Sequence, residues 1–145
     1  TARSRGLGDV YKRQAMKCVA LGQSYEIPFR SRQDYQYAPD VGAAVGHAAL
    51  DPFEGYGVFT LPGRTAGTTE IVSHLRNASE ALGIAGQFKI TVGNEAVPFI
   101  CDLEDEPFRH TFPETPQTPL DQAVRQSLEE FLRQVDRGWL QASSI

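Results

Sequence analysis

The clearest structural signal in this chain is the stretch 118–135, which reads TPLDQAVRQSLEEFLRQV. Thr118 can cap a helix, Pro119 suits the first helical position because its missing N–H is not needed there, and Asp121 lies near the positive end of the helix dipole. Apolar side chains then recur at helical spacing at Leu120, Val124, Leu128, Phe131 and Val135. These features predict one amphipathic helix whose apolar side faces the core.

Strand and helix signals alternate upstream of this helix. Short apolar or alternating runs predict strands at 18–21, 25–29, 35–37, 58–61 and 88–92. Helical spacing predicts one helix that begins near Pro39 and another that begins near Thr68 and ends at Gly83 in a left-handed conformation. Alternation of this kind predicts a single α/β or α+β domain.

Two further patterns bear on local structure. Gly42 and Gly46 lie inside the first predicted helix, which indicates close packing or close approach of a ligand, and we expect packing. Four prolines between 96 and 116 exclude a long regular element there, so we expect an ordered loop or short helical turns.

The first fourteen residues look like laboratory sequence. Their last six letters, DVYKRQ at 9–14, are what the mosaic end of a transposase sequencing adapter gives in one reading frame. We therefore expect an adapter-derived, non-native tail at 1–14, a natural domain at 15–140 and a frayed tail at 141–145. On this interpretation, the parent protein continues upstream of Ala15, and any motif there is missing from the chain.

Charge and composition narrow the classes of function. The predicted tail holds four of the 14 basic residues and one of the 18 acidic residues, which leaves 10 basic and 17 acidic residues and a net charge of −7. An acidic body disfavours nucleic-acid binding, because phosphate contacts need a basic surface. No apolar run is long enough to predict a membrane span, so we expect no membrane partner and a cytoplasmic location.

The chain carries no recognisable catalytic or cofactor motif. It lacks a glycine-rich dinucleotide fingerprint, a Tyr-x-x-x-Lys pair and a G-x-S-x-G elbow. Cys18, Cys101 and the three histidines have no metal-ligand spacing, so we expect no metal site from them. The acidic run at 102–106 could supply metal ligands or a base, although a solvated loop is the simpler interpretation.

One loop stands out as a candidate substrate site. Arg30, Arg32 and Gln33 lie between a predicted strand that ends at Phe29 and one that begins near Tyr35. Planar donors in such a loop can hold an anionic or hydroxylated ligand. We therefore assign Phe29, Arg30, Arg32 and Gln33 as candidate substrate-binding residues, with solvated arginines as the alternative.

Four segments in a fixed order resemble a known family. They are YEIPF at 25–29, QDYQYAPDV at 33–41, VFTLPG at 58–63 and TPLDQAV at 118–124. Together they resemble the C-terminal portion of NAD-dependent epimerase/dehydratase proteins, the extended short-chain dehydrogenase/reductase family. The resemblance implies an α/β fold that is the C-terminal portion of a Rossmann-type fold, with an incomplete sheet and packed helices. Its segments span nearly all of 15–140.

The resemblance also implies a function. The parent would be an enzyme whose missing N-terminal Rossmann half binds NAD or NADP and holds the catalytic tyrosine and lysine, whereas this fragment would bind no cofactor alone. The fragment would position a small-molecule substrate, namely a sugar, a sugar acid or a nucleotide sugar. The parent would be a homodimer, as members commonly are.

One departure from the family pattern affects the expected substrate. Many members that act on nucleotide sugars carry an arginine where this chain has Gln33, so a fixed cation for a diphosphate is lost. Arg32 is adjacent but would face the opposite side of a strand. We therefore favour a small unphosphorylated polyol, sugar or sugar acid. The matches at Asp34, Tyr35 and Asp40 are expected to tie the strand to the following helix.

Two alternatives remain open. The chain could be a complete, small α/β ligand-binding module without catalysis, which would close its own core and leave no orphan strand edge. A fragment would instead expose an apolar face that the missing half covers. In a third interpretation, Met16 is a genuine start and the domain pairs with a separate Rossmann subunit.

Overall fold

The computed structural model describes residues 7–141, with side chains from Val10 onward, and this part forms five helices and four strands. The elements are α1 (Leu7–Ala20), β1 (Tyr25–Arg30), β2 (Arg32–Tyr35), α2 (Ala38–Leu50), β3 (Arg64–Gly67), α3 (Thr68–Ala81), β4 (Ile90–Ala96), α4 (Glu106–Thr111) and α5 (Leu120–Asp136). The prediction of a mixed α/β fold is confirmed at this level.

The strands form two small sheets. β1 pairs with β4 in parallel, and β2 pairs with β3 in antiparallel orientation. In β1, Ile27 and Phe29 are buried while Glu26 and Arg30 are exposed. One face of the parallel pair is therefore solvated, whereas the strands of large parallel sheets are buried on both faces.

The main core lies where α3 and α5 pack on each other and α1 packs against α5 and β1. Leu75 of α3 and Leu128 of α5 have exposed fractions of 1% and 0%, and both belong to one cluster with Val19 and Ile27. Of the predicted apolar side of 118–135, Val124 and Leu128 are buried in this core and Leu120 packs against it. Leu132 packs there as well, whereas Phe131 and Val135 do not belong to the cluster. A smaller cluster under α2 joins Ala44 to the rings of Phe59, Phe108 and Phe112.

Three helix predictions hold in detail. α2 begins at Ala38 with Pro39 in its first turn, and α3 begins at Thr68. Gly83 follows α3 with φ of +72°, a conformation that glycine adopts without steric cost. The proline-rich loop contains only the short helix α4.

The strand predicted at 18–21 is wrong. Cys18 and Val19 belong to α1, where they share a buried face with Ala15 at helical spacing. The error arose because the apolar run was short, and such runs cannot separate a strand from a buried helical turn. The strand predicted at 58–61 is also absent, and β3 forms later, from Arg64, after Pro62, which cannot donate to a ladder.

Gly93, Gly42 and Gly46 differ from what the sequence predicts for them. The strand predicted at 88–92 is observed as β4, which begins at Ile90 and continues through Gly93 and Asn94 to Ala96. A Cβ at Gly93 would clash with the carbonyl of Pro28 on β1, so glycine permits the two strands to approach closely here. This close approach coincides with a register shift between Ile27 and Phe29. Gly42 and Gly46 have no atom within 4 Å of an added Cβ, so the packing interpretation for them is wrong.

Helix α1 crosses the boundary predicted at Ala15. It begins at Leu7, and Tyr11 has an exposed fraction of 2%. Tyr11 therefore packs in the core of the domain. The adapter origin of residues 1–14 stays a prediction. Residues 1–6 of that tail and 142–145 of the predicted frayed tail lie outside the described residues. No helix within 7–141 is both long and apolar enough to span a membrane.

Candidate functional site

Of the four predicted substrate-binding residues, two are buried and two are exposed. Phe29 is buried in the core, where its ring meets Tyr11 edge-on with centroids 5.1 Å apart. Gln33 is also buried, with an exposed fraction of 6%. Arg30 and Arg32 are exposed, as alternation along β1 and β2 requires.

Both arginines have partners within the chain. The Arg30 side chain donates to the carbonyl oxygen of Gly93 and to Oδ1 of Asn94, each at 3.2 Å. Arg32 pairs with the Asp102 carboxylate at 2.9 Å. This contact holds the pKa of Asp102 below its usual value, first through the hydrogen bond from Arg32. The structure does not bring the four predicted residues together in one cleft, and their role toward a substrate stays a prediction.

Gln33 belongs to a buried hydrogen-bond network. Its Nε2 donates to the hydroxyl oxygens of Tyr11 and Tyr35, and these two hydroxyls lie 2.7 Å apart. Burial, followed by the hydrogen bond with Tyr11, raises the pKa of Tyr35 above its ordinary value. The Gln33 amide is thus hydrogen-bonded inside the domain.

Asp34 holds the start of the acidic run at 102–106 in place. Asp34 on β2 accepts hydrogen bonds from the backbone N–H groups of Asp102 and Leu103, both at 3.0 Å, and from the hydroxyl of Thr65. Asp105 pairs with Arg109 at 2.6 Å. Within residues 7–141, no three His, Cys, Asp or Glu side chains form a group that could hold a metal ion. The expectation that Asp34 has a structural role agrees with these contacts.

A cleft of about 120 Å³ lies between α1, the end of β2, the turn before β3 and the first turns of α5. Its floor is apolar and consists of Met16, Ile71, Leu120, Ala123 and Val124. Its polar wall consists of Tyr37, Asp40, Arg64, Gln117, Thr118 and Ser127. Lys12 completes the rim, with its amine 4.2 Å from the centroid of the Tyr35 ring.

Two contacts position the wall. Asp40 on α2 accepts hydrogen bonds from the backbone N–H and the hydroxyl of Thr118, both at 2.7 Å. The Tyr37 hydroxyl donates to Oε1 of Gln126 on α5 at 2.8 Å. Partial burial raises the pKa of Tyr37. The segment that follows β2 is therefore tied to α5, and the cleft mouth has a defined shape.

Three polar side chains of the wall are unengaged. Arg64, Gln117 and Ser127 make no side-chain hydrogen bond or ion pair with any other residue in 7–141. They supply a guanidinium, an amide and a hydroxyl next to an apolar floor, which is the general composition of a small-molecule site. The arrangement can bind and orient a ligand.

Sequence reasoning missed this cleft because its walls come from distant parts of the chain. Asp40 and Thr118 are 78 positions apart. The only available signal was the resemblance itself, which drew attention to the segments 33–41, 58–63 and 118–124 that border the cleft. No protein-family profile, curated protein or solved structure gave a significant match to the chain.

Proposed function

We propose that this chain is the substrate-binding, C-terminal portion of a cytoplasmic NAD(P)-dependent oxidoreductase or epimerase of the extended short-chain dehydrogenase/reductase family. The parent acts on a sugar, a sugar acid or a related polyol, and the fragment is not catalytic alone. The observation that carries the proposal is the cleft whose apolar floor is bordered by the unengaged side chains of Arg64, Gln117 and Ser127.

The composition of the cleft supports a hydroxylated substrate. An amide and a hydroxyl can donate to and accept from sugar hydroxyls, and an apolar floor suits the C–H face of a sugar ring. The volume of about 120 Å³ supports a small ligand over a nucleotide sugar.

Exposed apolar side chains support a missing partner domain. Leu50, Tyr56 and Val58 have exposed fractions of 85%, 90% and 80%, and all three lie within nine residues of one another. Ile100 is 78% exposed on another loop. Large apolar side chains exposed within one short segment favour a contact site. We assign it to the missing N-terminal Rossmann half.

The residues present do not fit NAD or NADP. A dinucleotide site needs a helix that begins at a glycine-rich turn directly after a parallel strand. Here β1 leads into β2, and β4 leads into the proline-rich loop. The cofactor therefore belongs to the missing half in this proposal, as does the contact that would make the parent a homodimer.

A self-contained ligand-binding module is the second candidate. The observation that favours it is the continuous core, which joins α1, α3, α5 and all four strands into one cluster. Such a core is what an independently folding domain requires. In this case the same cleft binds the ligand, and the protein catalyses no reaction of it.

The uninterrupted gene upstream of Ala15 tests the proposal. We expect a glycine-rich strand–turn–helix followed by a Tyr-x-x-x-Lys pair. The restored full-length protein should then reduce NAD or NADP in the presence of a member of a panel of sugars, sugar acids and nucleotide sugars. A start codon immediately before Met16, with no Rossmann half encoded ahead of it, would contradict the proposal and favour the module.

A further inference from the structure

We infer that the ligand of the cleft is a hydroxylated carboxylate, with the Arg64 guanidinium holding the carboxylate group and Gln117 and Ser127 hydrogen-bonding to ligand hydroxyls. This inference rests on the proposed function for its substrate class. Within that class, it selects the sugar acid over the neutral sugar or polyol.

The position of Arg64 supports an anionic group. Arg64 is the first residue of β3 and is paired in register with Tyr35 on β2, so its backbone is anchored while its side chain is exposed at the cleft. Each of the other arginines of the two sheets has a partner, since Arg30 binds β4 and Arg32 binds Asp102. A guanidinium without a partner beside a cleft can form a bidentate pair with a carboxylate.

The carboxylate that lines the cleft, Asp40, is engaged with another residue and makes no ion pair with Arg64 within the described residues. Both of its oxygens accept hydrogen bonds from Thr118. These bonds direct the carboxylate toward the start of α5. The remaining lone pairs of Asp40 can accept from a ligand hydroxyl, which suits a molecule with an acid at one end and hydroxyls along its length.

Lys12 is a second cation at the rim, but the inference does not depend on it. Its amine lies over the Tyr35 ring, and it falls in the segment predicted to be adapter-derived. If Arg64 is the carboxylate partner, Arg64→Gln must weaken acid binding more than Lys12→Gln does. This comparison separates the two cations.

The test uses the full 145-residue chain and NMR titration with D-galacturonate, its neutral methyl ester and D-galactose. We expect the acid to bind more tightly than the ester of nearly the same shape, and its binding to weaken with added salt. Arg64→Gln should reduce affinity for the acid about tenfold and leave the ester unchanged. Arg64→Lys should give a smaller loss. Arg125→Gln, at an exposed site on α5 outside the cleft, is the matched control.

The outcomes distinguish this inference from the proposed function. Equal affinity for the acid and its ester, an unchanged affinity in Arg64→Gln, or no binding of any of the three probes would overturn the inference. Binding of the methyl ester or of D-galactose at the cleft would still agree with the proposed function. Conversely, an upstream gene that encodes no Rossmann half would contradict the proposed function. Arg64-dependent binding of the acid would then still support the inference about the ligand.

Discussion

Asp40 and Thr118 join two helices that are far apart in sequence. The carboxylate of Asp40, in the first turn of α2, accepts from both the backbone N–H and the hydroxyl of Thr118, just before α5, and each distance is 2.7 Å. Thr118 was expected to cap α5 with its side chain, but its hydroxyl is used in this contact and α5 has no side-chain cap. Both residues line the cleft.

Asp40→Ala should destabilise the domain. It leaves two half-buried donors of Thr118 without their acceptor, so we expect a loss of about 1–3 kcal/mol in the free energy of unfolding. Urea unfolding followed by circular dichroism measures it. In a double-mutant cycle with Thr118→Val, the two losses should not add. Glu114→Ala, at an exposed position, is the control and should change stability by less than about 0.5 kcal/mol. Full additivity would contradict the contact.

Leu128→Ala should be more damaging. Leu128 is fully buried between α5 and its neighbours, and removing its side chain leaves a cavity that the packed core cannot fully close. We expect a loss of about 2–5 kcal/mol. Leu50→Ala makes the same chemical change at a site that is 85% exposed, and should be nearly neutral. Similar unfolding midpoints for the two variants would mean that α5 is not packed as described.

Tyr11→Phe tests whether α1 belongs to the core. The change removes only the hydroxyl that Gln33 and Tyr35 contact, so two buried polar groups lose a partner. The expected loss is about 1–3 kcal/mol. Tyr56→Phe is the matched control, because Tyr56 is 90% exposed. If thermal unfolding is the same for both variants, the segment before Ala15 does not pack on the domain in solution.

Stability should fall at high pH, partly because of Tyr35. Its pKa is raised in the folded state, so the folded protein holds this proton more tightly than the unfolded chain does. The stabilisation is complete below the ordinary tyrosine pKa of about 10 and is lost as the pH rises above it. Guanidinium unfolding at about pH 8 and about pH 11 should show a smaller pH-dependent loss in Tyr35→Phe than in the unchanged protein. Identical losses in both would contradict the raised pKa.

Gly93 and Gly42 should respond oppositely to alanine. At Gly93 a methyl group meets the Pro28 carbonyl, so β1 and β4 must separate locally, and we expect a loss of about 1–3 kcal/mol. At Gly42 the methyl group meets open space in a helix, and we expect a gain of about 0.5–1 kcal/mol. Thermal melts of the two variants check the pair. A destabilising Gly42→Ala change would restore the packing interpretation that the structure overturns.

Local chemistry in the sequence was sufficient for three of the five helices in 7–141, but not for α1, part of which was predicted as a strand. Periodic apolar side chains, Pro39, Pro119 and Gly83 predicted α2, α3 and α5, because helix spacing and helix ends depend on neighbours within a few residues. The strand at 25–29 was likewise predicted from its own composition. The mixed α/β class followed from the order of these elements.

Tertiary structure alone decided the sheets and the cleft. Whether a short apolar run becomes a strand depends on a distant ladder partner, which is why 58–61 stayed unpaired while the polar segment Arg64–Gly67 paired with β2. Tertiary contacts also decided the position of Gln33, which is buried beside Tyr11 and Tyr35. Arg64 and Gln117 come from distant parts of the chain and line one cleft only in the folded domain. Contacts between residues far apart in sequence are determined by packing of the whole domain, and no local pattern encodes them.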